Sequence, residues 1–259
     1  MDLGLDGRTA VVTGASRGIG LAITRGLAAH GARVVAGARR SSAELDLLAK
    51  EGQVRVLEVD LADPGGPGRL VALAEQGPDI LVNNVGGAPA RTGGFLSITD
   101  EDWQVSLTLN LMAAVRATRA ALPAMLAAGK GSIVTVCSVN ATLADPAVLD
   151  YSAAKAALAG FCKALSKEVG PRGVRVNTVS PGPVATDLWL GDHGVAQTVS
   201  HATGAKAGDV ASQAAHDMVT GRFSRPEEVA DLVLMLASDR TANVTGADFR
   251  IDGGLVPTW

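Results

Sequence analysis

Thr9-Ala10-Val11-Val12-Thr13-Gly14-Ala15-Ser16-Arg17-Gly18-Ile19-Gly20 is the stretch on which the fold turns. A short β-branched run stops at a cluster of glycines, and a helical pattern from Ile19 to His30, closed by Gly31, follows it. Glycines at such a place let the backbone turn sharply, let a pyrophosphate approach the amides and let the helix pack close to the strand. A glycine-rich turn alone is a weak signal, since many are only tight turns. With a strand before it and a helix after it, the turn reads as a dinucleotide-binding loop, with Gly14, Ser16, Arg17, Gly18, Ile19 and Gly20 as its contacts.

Working outward, the same alternation repeats. Strands are expected at Arg33–Gly37, Val54–Val59, Ile80–Asn83, Ser132–Cys137, Val174–Val179 and Ala247–Ile251. Helices are expected at Ser42–Lys50, Arg69–Glu75, Tyr151–Val169 and from Pro226 to Ala237. Thr99 reads as an N-cap, with Asp100, Glu101 and Asp102 in the first turn, of a helix that runs to about Ala128. The strands are continuous apolar runs, as expected when both faces are covered. This predicts an α/β fold: a Rossmann-type doubly wound parallel sheet in one domain over residues 1–259. One polar, Gly- and Ala-rich segment, 187–222, is too long for a simple connection and reads as a substrate lid inserted before the last helix.

Composition sets limits on function. The 259 residues carry 23 Lys and Arg against 26 Asp and Glu, a net charge of −3 that does not favour nucleic acid or anionic membrane. Two cysteines, Cys137 and Cys162, exclude a disulfide-dense scaffold. No secretory pattern stands at Met1–Arg8 and no uninterrupted apolar run has the length of a membrane span, so a soluble, cytoplasmic protein is expected. Asn140-Ala141-Thr142 and Asn243-Val244-Thr245 fit a glycosylation pattern that means nothing in that compartment. His193, His201 and His216 lack ligand-like spacing, and no metal is expected.

Cofactor choice is read at the end of the second strand. An Asp or Glu about 20 residues past the glycines usually holds the ribose 2′-hydroxyl of NAD. Ala38 stands there, and Ala32 to Ala43 holds Arg33, Arg39 and Arg40 and no acid. Arg39 and Arg17 suit a 2′-phosphate through charge-assisted, forked hydrogen bonds, so NADP(H) is expected. Arg40 reads as solvated surface.

Several motifs in order now resemble the short-chain dehydrogenase/reductase family. They are Thr13 to Gly20, Asn83-Asn84-Val85-Gly86, Asn110, Ser138, Tyr151-Ser152-Ala153-Ala154-Lys155, Pro181-Gly182 with Thr186, and Ile251-Asp252-Gly253-Gly254. Val85 stands where the family usually has Ala. The resemblance implies Tyr151 as proton donor to a carbonyl oxygen, Ser138 as its hydrogen-bond partner, Lys155 as ribose ligand and charge partner, and Asn110 as anchor of a proton relay. Tyr151 and Lys155, one helical turn apart, share a face, and a cation beside a phenol favours its ionised form. Tyr151 is the only tyrosine of the chain. By the same carry-over Asp60 and Leu61 meet the adenine, Asn84, Tyr151 and Lys155 the ribose side, and Pro181, Gly182, Val184 and Thr186 the nicotinamide end. Each has a plainer reading: Ser138 as a turn cap, Asn110 as a satisfied buried amide, Asp60 as a helix cap.

The expected activity is NADPH-dependent reduction of a ketone. The alternatives are a 3-oxoacyl-(acyl-carrier-protein) reductase, with Lys130 and Arg172 meeting an acidic carrier, and a silent NADP-sensing regulator. A homo-oligomer, tetrameric or dimeric, is implied by the family. The Ala113-Ala114-Ala117-Ala120-Ala121 and Ala153-Ala156-Ala157 faces suit its helix contacts.

Overall fold

A computed structural model describes residues 2–258. Seven parallel strands form one sheet: β1 (Thr9–Thr13), β2 (Arg33–Ala38), β3 (Val54–Glu58), β4 (Ile80–Asn83), β5 (Gly131–Val136), β6 (Val174–Pro181) and β7 (Asp248–Ile251). Their order is β3-β2-β1-β4-β5-β6-β7. The winding direction reverses between β1 and β4, and a crevice opens at the carboxyl ends of the strands there. This is the doubly wound Rossmann-type sheet that the alternation predicts.

Ten α-helices occur among the described residues: α1 (Gly18–Ala29), α2 (Ala43–Lys50), α3 (Gly66–Ala72), α4 (Asp100–Leu107), α5 (Ala113–Ala128), α6 (Leu149–Val169), α7 (Asp187–Leu190), α8 (Val195–Thr203), α9 (Ala207–His216) and α10 (Pro226–Ala237). Strand periodicity divides the core in two. Ala10, Val12, Val34, Ala36 and Val134 face α1 and α10, whereas Val11, Val35, Leu81 and Ile133 face α3, α5 and α6. Both faces are buried, hence the unbroken apolar runs.

Three expectations need correction. The third helix lies at Gly66–Ala72 and not at Arg69–Glu75, because Pro67, with φ preset and no N–H to satisfy, starts it earlier. The helix from Asp100 to Ala128 is interrupted by a π-type turn at Thr108–Met112 centred on Asn110. In the first alanine face, Ala113, Ala114, Ala117 and Ala121 are buried inside the subunit. Their small side chains let α5 approach α3 and the sheet closely, so that face is not available to a partner; Ala153, Ala156 and Ala157 of α6 are exposed. The stretch Asp100–Ala128 has the length and mean hydropathy, 1.2, of a membrane-spanning helix. It carries Arg116 and Arg119, and its Ala113, Thr118 and Met125 pack in the core.

The segment 187–222 holds α7, α8 and α9. Its base is closed by backbone bonds: Ser224 N donates to Pro183 O (3.1 Å) and Ala185 N to Ser224 O (2.9 Å). Gly253 and Gly254, at φ +61° and +83°, tuck under this base, where Thr220 N donates to Gly253 O (3.0 Å). A side chain at Gly254 would press on Val219 at 3.0 Å, a close approach that explains the paired glycines.

Candidate active site

A cleft of about 1360 Å³ lies at the carboxyl ends of the strands. It exceeds the roughly 300–1,000 Å³ of single small-molecule sites, so it has room for more than one small molecule. Gly14, Ser16, Arg17, Gly18, Ile19, Gly20, Arg39, Asp60, Leu61, Asn84, Ser138, Tyr151, Lys155, Pro181, Gly182, Val184 and Thr186 all border it. Of the residues singled out from the sequence as site residues, Asn110 alone does not.

The loop between β1 and α1 is locked to the end of β4. Thr13 Oγ1 accepts from Asn84 N (2.8 Å) and Val85 N (3.1 Å), and Asn84 Nδ2 donates to Thr13 O and Gly14 O, both at 3.0 Å. Asn84 thus spends its donor on the loop and keeps Oδ1 for a ligand. A Cβ on Gly20 would overlap the Gly14 carbonyl oxygen, so glycine there permits the loop to close on the helix start. Arg17, the N-cap of α1, makes no side-chain cap bond and no acid lies in the first turn, which leaves that end free for an anion. Ala38 is buried at the end of β2, with exposed Arg39 and Arg40 after it. The one nearby strand carboxylate, Glu58, is engaged by Ser41 N at 2.9 Å. An open helix N-terminus, a glycine cradle and free arginines fit a dinucleotide bearing a further phosphate. Asp60 closes a turn through Ala62 N (2.9 Å) and caps no helix, since α3 begins only at Gly66.

At the centre of the cleft Ser138 follows β5, and Tyr151 and Lys155 lie on the first turns of α6. Lys155 is buried, its Nζ donating to Val136 O at 2.9 Å and standing 5.7 Å from the Tyr151 ring centroid. Ser138 Oγ accepts from Asn140 N (3.1 Å) and donates to Asn140 Oδ1 (3.2 Å). It therefore caps a turn and also borders the cleft. Asn110 is held behind the wall. Its Nδ2 donates to Gly87 O (2.9 Å) and Ser106 O (3.1 Å), and its Oδ1 accepts from Gly87 N (3.0 Å). The π-type turn strips helical partners from carbonyls, and the amide satisfies one of them. Only glycine fits between Asn110 and Lys155: a Cβ on Gly86 would lie 2.8 Å from Asn110 Oδ1 and 3.7 Å from Lys155 Nζ.

A family model described as enoyl-(acyl carrier protein) reductase matches residues 14–256. The 3-oxoacyl-(acyl-carrier-protein) reductase of Escherichia coli K12 is 36% identical over 259 residues, covering 98% of this chain and 99% of that protein. The chain belongs to the short-chain dehydrogenase/reductase family. A D-threitol dehydrogenase of Mycolicibacterium smegmatis is 38% identical, covering 98% of this chain and 94% of that protein. The crystal structure of L-sorbose reductase from Gluconobacter frateurii, complexed with NADPH and L-sorbose, superposes with a TM-score of 0.90 at 35% identity over 100% of both chains. The protein is thus an oxidoreductase of this family.

Two residues of this oxidoreductase escaped the sequence reading. Arg91, after β4, donates through Nε and Nη2 to both oxygens of Asp150 (3.2, 3.3 and 2.6 Å), and through Nη1 to Asp102 Oδ1 (2.9 Å). Its backbone N also donates to Ala147 O at 2.6 Å. One residue thereby joins the two loops that wall the inner end of the cleft, and its Asp150 partner directly precedes Tyr151. The carboxylates hold the Arg91 pKa above its ordinary value, Asp150 most strongly. A charge inside Pro146-Ala147-Val148-Leu149-Asp150 was the available signal, since a carboxylate in an apolar run needs a buried partner.

Lys130 and Arg172 do not flank the cleft of this family member. They precede β5 and β6 and so sit at the amino ends of the strands, roughly 20 Å of strand away from Ser138, Tyr151 and Lys155. Lys130 faces Asp79 at 4.0 Å. A carrier docked on them would be at the wrong end of the sheet. Among the described residues no three His, Cys, Asp or Glu side chains gather as a metal site.

Proposed function

We propose that the protein is an NADPH-dependent reductase converting a ketone to a secondary alcohol, with Tyr151 as general acid. One observation carries the reading: Ser138, Tyr151 and Lys155 border the same continuous cleft as the glycine-rich loop and the Arg17 and Arg39 cations. The NADPH held by the structurally similar L-sorbose reductase supports the cofactor. The loop Gly14–Gly20 and the start of α1 would hold the pyrophosphate, and Arg17 and Arg39 the 2′-phosphate. Asp60 and Leu61 would border the adenine, and Asn84, through its free Oδ1, the ribose side. Pro181, Gly182, Val184 and Thr186 would hold the nicotinamide end.

Bound NADPH supplies hydride to the carbonyl carbon. The chain's own groups manage the oxygen. Tyr151 Oη–H gives it a proton, and Ser138 Oγ–H turns from Asn140 Oδ1 to the carbonyl oxygen and stabilises the charge that develops there. Lys155, fixed by Val136 O, keeps its other N–H groups for ribose and stabilises the phenolate left on Tyr151. Asn110 fixes the Gly86–Gly87 backbone beside Lys155, from where a proton relay to solvent would start. The segment 187–222, with Trp189 against Phe223, covers the substrate end as a lid.

Tyr151→Phe is the test. It should lower kcat by about 10²–10⁴-fold while NADPH affinity is retained. Undiminished turnover by that variant would overturn the assignment, and NADPH binding without turnover of any ketone by the parent protein would favour the regulator. The carrier-protein reductase is kept as a second reading on the 36% identity to the Escherichia coli enzyme. A cytoplasmic homotetramer, or a dimer, belongs to the same proposal. Exposed Phe95, Leu96 and Val105, with the Ala153–Ala157 face of α6, supply apolar surface for it. Sedimentation analysis tests the assembly.

A further inference from the structure

The cations around the cleft are segregated. They are Arg17, Arg25, Arg39 and Arg40 at the dinucleotide end, where Glu44 and Asp60 stand among them, and Lys155 at the centre; Glu227, at the start of α10, also borders the cleft. Beyond Lys155, the segments that wall the inner end contribute Asp145, Asp187 and Asp217 and no cation. Arg91 lies close to this wall in sequence, but its guanidinium is consumed by Asp150 and Asp102. All three aspartates are exposed, so they act on a ligand through the field of the cleft mouth and not through a buried pair. The other polar groups facing this end, Asn140 and the indole of Trp189, are neutral.

From this segregation, and resting on the reading of the cleft as a carbonyl-reducing site, we infer that the substrate is an uncharged hydroxyketone. A keto acid or an acyl thioester borne on an anionic carrier brings negative charge to an acidic rim, and like-charge juxtaposition is penalised. An acidic carrier protein would meet the same rim, since the cations Lys130 and Arg172 lie at the opposite end of the sheet. A neutral hydroxyketone meets no such penalty. Its hydroxyls find acceptors in the rim carboxylates and a donor in the Asn140 amide.

The probes are L-sorbose and 5-keto-D-gluconate, which share a hydroxyketone skeleton and differ by a terminal carboxylate, with acetoacetyl-CoA as a thioester. Equilibrium binding to the full-length protein loaded with NADP+ is measured by calorimetry, and NADPH-dependent turnover is followed separately. At about 0.01 M salt the carboxylate should bind about tenfold or more weakly than the ketose, and the gap should narrow at about 0.15 M, where the screening length falls to ~8 Å. Asp145→Asn/Asp187→Asn/Asp217→Asn, which keeps acceptor oxygens in place, should raise the keto acid-to-ketose affinity ratio toward one. Equal binding of the two probes at low salt, or a gap moved neither by salt nor by the triple variant, overturns the inference. So does preferred turnover of acetoacetyl-CoA. A binding gap without turnover of any probe leaves the charge assignment standing and sinks the reductase reading instead.

Discussion

Arg91→Leu is expected to be the most damaging single change outside Ser138, Tyr151 and Lys155. Asp150 is fully buried and receives three guanidinium contacts, with the Arg91 side chain itself only 15% exposed. Deleting the arginine leaves a carboxylate sealed from water with no cation. Removing one partner of a buried pair costs about 3–5 kcal/mol, against a total stability of about 5–15 kcal/mol. The reverse deletion is milder, because Arg91 keeps Asp102 and partial access to solvent. Asp150→Asn, which retains one acceptor, should cost about 1.5–3 kcal/mol, the worth of a hydrogen bond to a charged group. Arg91→Leu/Asp150→Leu should recover much of the loss, since an apolar pair replaces a buried ion pair at little net cost. Urea unfolding at one fixed protein concentration, followed by tryptophan fluorescence and circular dichroism together, reads these differences as midpoint shifts at constant m. Because Arg91 ties residues 86–91 to Ala147, the surviving variants should raise KM more than they lower kcat. A stability for Arg91→Leu within about 1 kcal/mol of the parent at unchanged m would refute the reasoning, as would a double variant worse than either single one.

Three further outcomes are expected. Ala38→Asp places a carboxylate where a 2′-phosphate would sit, and should reduce the preference for NADPH over NADH by about tenfold or more; unchanged NADPH selectivity in steady-state kinetics would count against the arginine account. Burial pushes the Cys162 thiol up to about 12 and raises that of Cys137, so a disulfide reagent at pH 8 should label neither in the native protein and both after unfolding; rapid native labelling contradicts the packing around β5 and α6. Glu228, at the foot of the 187–222 segment, is held down to about 2 by the forked bonds from Arg222 (2.9 and 2.7 Å) and by the Arg225 backbone N–H. Its folded value lies below its unfolded one, so its contribution is complete above about pH 4.5 and vanishes as pH falls toward 2. Glu228→Gln should therefore be less stable than the parent at pH 7 and equal to it near pH 2, and a constant gap across that window would dismiss the pairing.

The strand–loop–helix at Thr9–Ala29, the parallel alternation and the shared helix face of Tyr151 and Lys155 are local matters. Glycine permissiveness, β-branched runs and the single helical turn between Tyr151 and Lys155 determine them from the chain's local sequence. Cofactor preference was equally legible, because Ala38 and Arg39 are neighbours in the chain. What the tertiary structure alone decided depends on which surfaces meet. The alanine face of α5 reads the same whether it packs inward or against a partner, and only the approach of α3 and the sheet turned it inward. Lys130 and Arg172 read as available cations, but strand direction carried them to the far end. Asn110 is a lone amide in an apolar run, and only the tertiary structure shows which backbone its side chain holds, that of Gly87. The Arg91–Asp150 pair joins residues remote in sequence. Burial, which makes that pair costly to break, is a property of neither residue until the two loops close over them.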